Sequence, residues 1–368
     1  MGTMKAIRAY LRLTARCAWV CFLSWTGCLK RVKRSLCDSG SIVTLTFHRV
    51  LDDASYQTTN SLPGIVIRER TFRELANYLA GSCDLVDFLD ATPGRPCQKV
   101  RLACTFDDGW RDNYTTAFSI LRAHKVPATI LVCPGLLDKT TPFWPEHVSA
   151  LLRTTRPNVA IDQLTELIES LKQLGPEERE EYIDRLREQA HNQHSLTDLS
   201  DVDRTLSWDE IVEMDKAGVR FGSHTDSHQI LTTIPAGLAR EELQHSKSML
   251  EKILGKPCRV FAYPNGDWSP ETRKIVEETG FKRAAATVCG VWTSASDPLA
   301  LPRSNVSESN VVGITGRFWP AMFEYTTLWK AWRATTRSVL CVSGWREALR
   351  LSPRTKPDGS NSPTFSKA

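Results

Sequence analysis

Thr105-Phe106-Asp107-Asp108-Gly109-Trp110 decides how the rest of the chain is read. The run Val100 to Phe106, interrupted only by Arg101, has the length and apolarity of a buried strand. It ends in two adjacent carboxylates, a glycine and a polar loop. Adjacent acids at the mouth of a buried strand repel each other and are costly to desolvate, so a compensating charge is expected. A divalent cation would supply it. For this stretch alone, an Asp-Asp-Gly turn on the surface is the alternative.

A second stretch sharpens the choice. Val219 to Phe221 leads into Gly222-Ser223-His224-Thr225-Asp226-Ser227-His228, which carries two histidines four apart. Imidazoles at that spacing converge on one ion if the loop opens a helix. With Asp108 they complete a His, His, Asp set, a common catalytic zinc arrangement with one position left for water.

TFDDG, then HTDSH (His224 to His228), then Phe261-Ala262-Tyr263-Pro264-Asn265-Gly266 resembles the polysaccharide deacetylase family, metal-dependent carbohydrate esterases of nodulation-deacetylase type. The resemblance runs from about Ile42 to Val306. It implies a distorted (β/α) barrel of seven or eight strands. It also implies a divalent metal, zinc first with cobalt or another ion as alternatives, on Asp108, His224 and His228. Asp107 becomes the general base, the backbone N–H of Asn265 the oxyanion donor, and Trp110, Tyr263 and Pro264 substrate contacts. Two departures stand out. The arginine common two residues before the motif proline is Ala262 here, and no histidine follows His245 to serve as the late general acid. In circularly permuted relatives of the exopolysaccharide type the corresponding histidine lies on the first strand. His48, at the end of Ile42 to Phe47, suits that pattern and would protonate a leaving amine; a strand-end histidine without chemistry is the alternative. Arg303 is a candidate for the missing arginine beside Asp107.

Around these motifs the chain alternates strands and helices, which implies a parallel sheet and an α/β fold. Ser41 to Phe47 reads as the first strand, and Asp52 to Ile67 as loop. A helix through Leu79 follows, with Thr71 as N-cap and Glu74 as its capping-box partner. Leu85 to Leu89 reads as a short strand, Arg111 to His124 as a helix and Ala128 to Val132 as the next strand. Residues 142–204 form a charged helical insertion, either a lid or a solvated decoration, whose His191 and His194 are not expected to be ligands. Helices from Ser207 and over Pro235 to Leu254, then strands Arg259 to Ala262 and Ala284 to Val288, complete the barrel over residues 39–312.

At 368 residues, 41% hydrophobic and 24% charged, the composition suits a soluble globular chain with a barrel-sized core. The net charge of +5 is concentrated at the two ends. Eleven cysteines without C-x-x-C spacing read as thiols of a reducing compartment, with Cys104 and Cys289 as small core residues. Residues 1–38 hold eight basic residues from Lys5 to Arg34 and no acid before Asp38. The apolar run Cys17 to Leu29 is too short to span a bilayer. Ile7, Leu11, Ala18, Phe22 and Trp25 share a helical face. The preferred reading is an amphipathic helix on an anionic cytoplasmic membrane face, with a secretory signal and a periplasmic or secreted protein as the alternative. Residues 313–368 interleave Phe318, Trp319, Phe323, Tyr325, Trp329 and Trp332 with Lys330, Arg333, Arg337, Arg346 and Arg350, for a membrane interface or for packing on the barrel; Ser352 to Ala368 reads as a disordered tail. No nucleic-acid module accompanies the charge.

The expected function is removal of N-acetyl groups from a sugar of a surface polysaccharide or its lipid-linked precursor. The alternatives are a carbohydrate- or membrane-binding protein with a lapsed site, and a hydrolase of a non-sugar amide or an O-acetyl ester.

Overall fold

The structure, a computed structural model, describes residues 2–139, 143–191 and 201–336, without the side chains of residues 2–6, 8, 191 and 201. Among these residues ten strands form: β1 (Ile42–Phe47), β2 (Arg49–Leu51), β3 (Val66–Arg68), β4 (Asp84–Leu85), β5 (Arg101–Phe106), β6 (Ala128–Val132), β7 (Arg220–Ser223), β8 (Val260–Ala262), β9 (Arg283–Ala285) and β10 (Ser304–Asn305). The main sheet runs β10-β1-β5-β6-β7-β8-β9, with β4 beside the start of β5, and every pairing in it is parallel. Ala285 of β9 also bridges Leu301, which runs directly into β10. The segment 301–305 therefore spans the seam between β9 and β1, and the curled sheet is the expected distorted (β/α) barrel.

Alternation along the strands separates two cores. Val43, Leu45 and Phe47 of β1 and Leu102, Cys104 and Phe106 of β5 face outward, into the layer beneath the helices. Ile42, Ala103, Leu131, Val260, Ala262 and Ala285 face inward, where Phe88 and Trp292 close the lower end. The interior is narrow. A Cβ on Gly222 of β7 would lie 2.7 Å from both the Leu131 side chain and the Val260 carbonyl oxygen. Toward the carboxyl ends of the strands the inward positions turn polar, with Thr46, Thr105, Asp107 and Arg303 all buried. That polar end is where barrels of this kind carry their chemistry.

Several local expectations are corrected. Asp52 to Ile67 is not plain loop: the Asp52 carboxylate accepts from the N–H groups of Ala54 and Ser55 and starts a helix, Asp53–Thr58, between the paired strands β2 and β3. The following helix is Glu69–Ser82; Thr71 and Glu74 lie inside it and bond instead to Glu308 and to the Phe318 N–H. Strand character at Leu85 ends there, because Phe88 turns in to plug the barrel. Between Arg111 and His124 a wide π turn, Asn113–Ala117, precedes the α-helix Phe118–Ala123. Cys104 is buried as expected, but Cys289 is exposed. By contrast, Ser207 caps the helix Trp208–Lys216 in a capping box with Glu210, as its sequence suggests.

The insertion holds three helices, Trp144–Thr155, Ile161–Leu171 and Pro176–His191, around a small core of their own that includes Leu151, Ile168 and Ile183. The C-terminal aromatics resolve to packing. Phe323 is in the main core, Phe318, Trp329 and Trp332 lie against it, and Trp319 and Tyr325 cover the N-terminal helix. Arg337, Arg346, Arg350, the tail from Ser352 and His194 lie outside the described residues.

Candidate active site

Phe106 points into the outer core, so Asp107 faces the barrel interior. There both of its oxygens are held by one guanidinium, with Arg303 Nη1 and Nη2 each donating at 2.7 Å. Arg303 is itself fixed by donating to the Ala286 carbonyl at 3.0 Å and to Thr105 Oγ1 at 3.2 Å. Burial works against the charge on Asp107, but the Arg303 pair, with His224 beside it, outweighs burial and holds the carboxyl below its ordinary range. Ala262 leaves the space, and the seam segment supplies the guanidinium.

Asp108 and Gly109 both adopt the left-handed region, each with φ of 74°. A Cβ on Gly109 would lie 2.7 Å from Val132 Cγ1, so the reversal requires glycine. The turn separates the two adjacent acids. Asp108 Oδ1 lies 3.5 Å from His224 Nε2 and 3.4 Å from His228 Nε2, while Oδ2 accepts from Trp110 Nε1 at 2.9 Å. Burial opposes the charge on Asp108 too, yet the neighbouring imidazoles hold its carboxyl far below the usual range.

The two histidines converge without the expected helix. His224 follows β7 directly, and Thr225 and His228, at φ of 64° and 60°, fold the loop back on itself. Glu242, from the helix Ala236–Leu254, grips that loop by accepting from the N–H groups of Asp226 and Ser227 and from Ser227 Oγ at 2.7 to 2.9 Å. Four of the six non-glycine residues with positive φ among the described residues (Asp108, Thr225, His228 and Asn265) belong to the three motifs. Backbone strain is concentrated where the site is built.

The donor set fits a cation. His224 Nδ1 lies 2.8 Å from the Ala262 carbonyl, which can only accept, so in the neutral ring that nitrogen carries the hydrogen. Burial lowers the His224 pKa to about 4, against the opposing pull of Asp107, so the ring is neutral near pH 7. Its Nε2 lone pair then faces a carboxylate oxygen of Asp108, two acceptors opposed across a gap that a metal ion would fill. One donor atom from each of Asp108, His224 and His228 lies within 4.8 Å of the others.

These groups line a cavity of about 360 Å³. His48, at the end of β1, is on its wall, with a buried Nδ1 that has no hydrogen-bond partner. Tyr263, Asn265 and Arg303 line it as well, and the insertion contributes Phe143, Trp144, Glu146, Ile168 and Lys172. Trp110 and Pro264 stand behind the wall, both buried; Trp110 orients Asp108 and stacks under the Arg49 guanidinium at 4.3 Å. Sequence reasoning missed the support beneath. Arg49, fully buried, bonds to Asp112, Asp203, Thr59 and Ser61, and Ser61 in turn donates to Glu146. No spacing links these residues, which come from five separate segments.

Comparison with known proteins places the chain. The family model for polysaccharide deacetylases matches residues 94–284, just over half of the chain, and the chain belongs to that family. Its members are metal-dependent in general. A curated relative, YxkH of Bacillus subtilis (strain 168), is 22% identical over 235 residues, 64% of this chain and 59% of that protein. The chain thus spans about three-fifths of that relative's length. The Streptococcus pyogenes deacetylase PplD, solved in complex with acetate, superposes with a TM-score of 0.52 at 18% identity, over 78% of this chain and 98% of that one. BC0361, a polysaccharide deacetylase from Bacillus cereus, gives 0.50 at 19% identity, over 75% and 67%. At these identities the two structures speak to the fold, which they share.

Proposed function

We propose that this chain is a metal-dependent hydrolase that removes N-acetyl groups from a sugar of a surface polysaccharide or its lipid-linked precursor. The observation that carries the reading is the division of labour between adjacent acids. Asp107 is clamped by Arg303, and Asp108 is turned away toward two histidines, on the wall of one cavity. Asp108, His224 and His228 hold a divalent metal, zinc by donor type. When bound, such an ion supplies Lewis acidity, polarising an acetyl carbonyl and easing the ionisation of a nearby water.

The chain's own residues do the rest. Asp107, kept ionised by Arg303, takes a proton from the attacking water as its oxygen bonds to the acetyl carbon. The Asn265 N–H, on the cavity wall, donates to the carbonyl oxygen as it gains charge. His48 delivers a proton to the sugar nitrogen as the C–N bond breaks, so acetate and a free amine leave. Of the two departures that favour a lapsed site, Ala262 and the absent late histidine, the first is offset by Arg303, whose guanidinium reaches Asp107.

The test is acetate release from short N-acetylglucosamine oligomers by purified protein, with chelator and then with zinc or cobalt restored. Release that chelation abolishes and metal restores is the expected result. Bound metal with no release from any acetylated sugar, lipid-linked or free, would sink the reading and leave a non-sugar amide or an O-acetyl ester.

The N-terminal helix supports a place at an anionic membrane surface, on its cytoplasmic side. Cys17 and Val20 of Gly2–Trp25 pack on Met322 and its neighbours and Leu23 is buried, whereas Ile7, Tyr10, Leu11, Trp19, Phe22 and Trp25 are exposed along the other side. Lys30, Arg31 and Arg34 of the next helix, Cys28–Ser39, are exposed too. Among the described residues no helix is long and apolar enough to cross a membrane. An apolar face bordered by cations suits a helix lying in the lipid headgroup layer.

A further inference from the structure

A second cavity, of about 390 Å³, adjoins the first and shares Phe143, Trp144 and His228 with it. Its far wall is the first turn of the insertion helix Pro176–His191. Arg179 comes from that turn and is only 4% exposed. One guanidinium nitrogen, Nη2, donates to Gln229 Oε1 at 2.9 Å, and the group sits 5.0 Å over the Trp144 ring. The other, Nη1, is buried without a partner, and so is Trp144 Nε1. Among the described residues no carboxylate lies within ion-pair distance of Arg179: Glu177 and Glu180 also line the cavity but are exposed, and Glu180 is 3.6 Å from Arg187. A buried cation without a counter-charge is expensive, and two unpaired donors on residues that line one cavity call for an acceptor.

We propose that this second cavity is a binding site for a carboxylate-bearing sugar of the uronic acid class, whose carboxylate accepts from Arg179 Nη1 and Trp144 Nε1. Because the two cavities meet at His228, the acidic sugar is the neighbour of the one whose acetyl group is attacked, and the natural substrate carries uronate beside N-acetylated residues. The second statement rests on the deacetylase reading; the site itself does not. The guanidinium supplies the charge, and the indole N–H fixes the side from which the carboxylate enters. Substrate choice then lies in the insertion rather than in the three motifs.

The experiment titrates glucuronate, and N-acetylglucosamine as the neutral control, into the full chain by calorimetry. Arg179→Gln and Arg179→Lys are compared after their melting temperatures and metal content are matched to the parent. Glucuronate is expected to bind with a preference over the neutral sugar, and Arg179→Gln to weaken it roughly 10- to 100-fold, the contribution of one charged hydrogen bond. Arg179→Lys should retain part of it. In turnover, the ratio of kcat/KM for an oligosaccharide alternating N-acetylhexosamine and uronate to that for a neutral oligomer should collapse toward one in Arg179→Gln. Equal binding of the two sugars, or glucuronate binding untouched by Arg179→Gln, overturns the site. If Arg179-dependent binding is found while no acetylated sugar is turned over, the site stands and the deacetylase reading fails.

Discussion

At the residue scale the decisive contact is the two-point grip of Arg303 on Asp107. Asp107→Asn should lower turnover by ~10²–10⁴-fold, the range for loss of a general base, and leave metal content unchanged by elemental analysis. Arg303→Gln acts differently. It strands a buried carboxylate, so thermal or denaturant unfolding should register a loss of ~3–5 kcal/mol at pH 7. The sign with pH follows. Asp107 titrates below its unfolded value of 3.8, so the pair stabilises the fold above that value and ceases to as pH falls through the folded pKa. In Arg303→Gln the Asp107 pKa rises, and the acid limb of the pH–rate profile should move to higher pH. An acid limb that stays in place would show that Asp107 is not the titrating base.

At the scale of elements, the loop of residues 224–228 and the insertion each make a separable forecast. Glu242 holds residues 226–227 from a neighbouring helix, so Glu242→Ala should weaken zinc binding by ~10–100-fold, as loss of a supporting contact typically does. Competition with a chromogenic chelator reads that directly. Glu146, at the start of the insertion, has its carboxyl pushed up to about 7, first by burial and then by Asp108. Folded, it holds a proton more tightly than unfolded. Its contribution is therefore complete below the unfolded value of 4.5 and is lost as pH rises through 7. Glu146→Gln should erase a fall in unfolding free energy of up to ~3 kcal/mol between pH 5 and 8; an unchanged slope would place the titration elsewhere. The same scale explains what could be read in advance. Motif residues were legible because each sits at a strand end, where pattern and polarity change together. His48 and Arg303 were legible only through an absence, of a late histidine and of an arginine at 262. The Arg49 cluster was not legible, because burial joins residues that no periodicity relates. Spacing of four between His224 and His228 suggests helical pitch as the route to convergence, whereas left-handed residues at 225 and 228 bring the rings together instead.

At the scale of the molecule, the exposed side of the N-terminal helix is the surface with the clearest physical consequence. Replacing Trp19, Phe22 and Trp25 with serine should abolish co-sedimentation with phosphatidylglycerol vesicles, while phosphatidylcholine vesicles should bind the parent weakly. If these replacements instead change the molar mass in solution, a second copy of the chain covers that face. The two outcomes separate a lipid surface from self-association.

The family-matched stretch, residues 94–284, contains the acids, the histidines and Asn265, but neither His48 nor Arg303. Those two come from the end of β1 and from the seam segment; β1 and β10 pair with each other although they lie at opposite ends of the barrel sequence. During synthesis, then, a ribosome completes the histidine loop well before it delivers the guanidinium that clamps Asp107, the proposed base. Until residue 301 emerges, β1 and β9 are two open edges of an unfinished sheet. Closure of the barrel and completion of the Asp107–Arg303 pair are one event, and it comes late. A chain stopped or clipped ahead of Leu301 would keep every motif by which it is recognised and still leave Asp107 without its guanidinium.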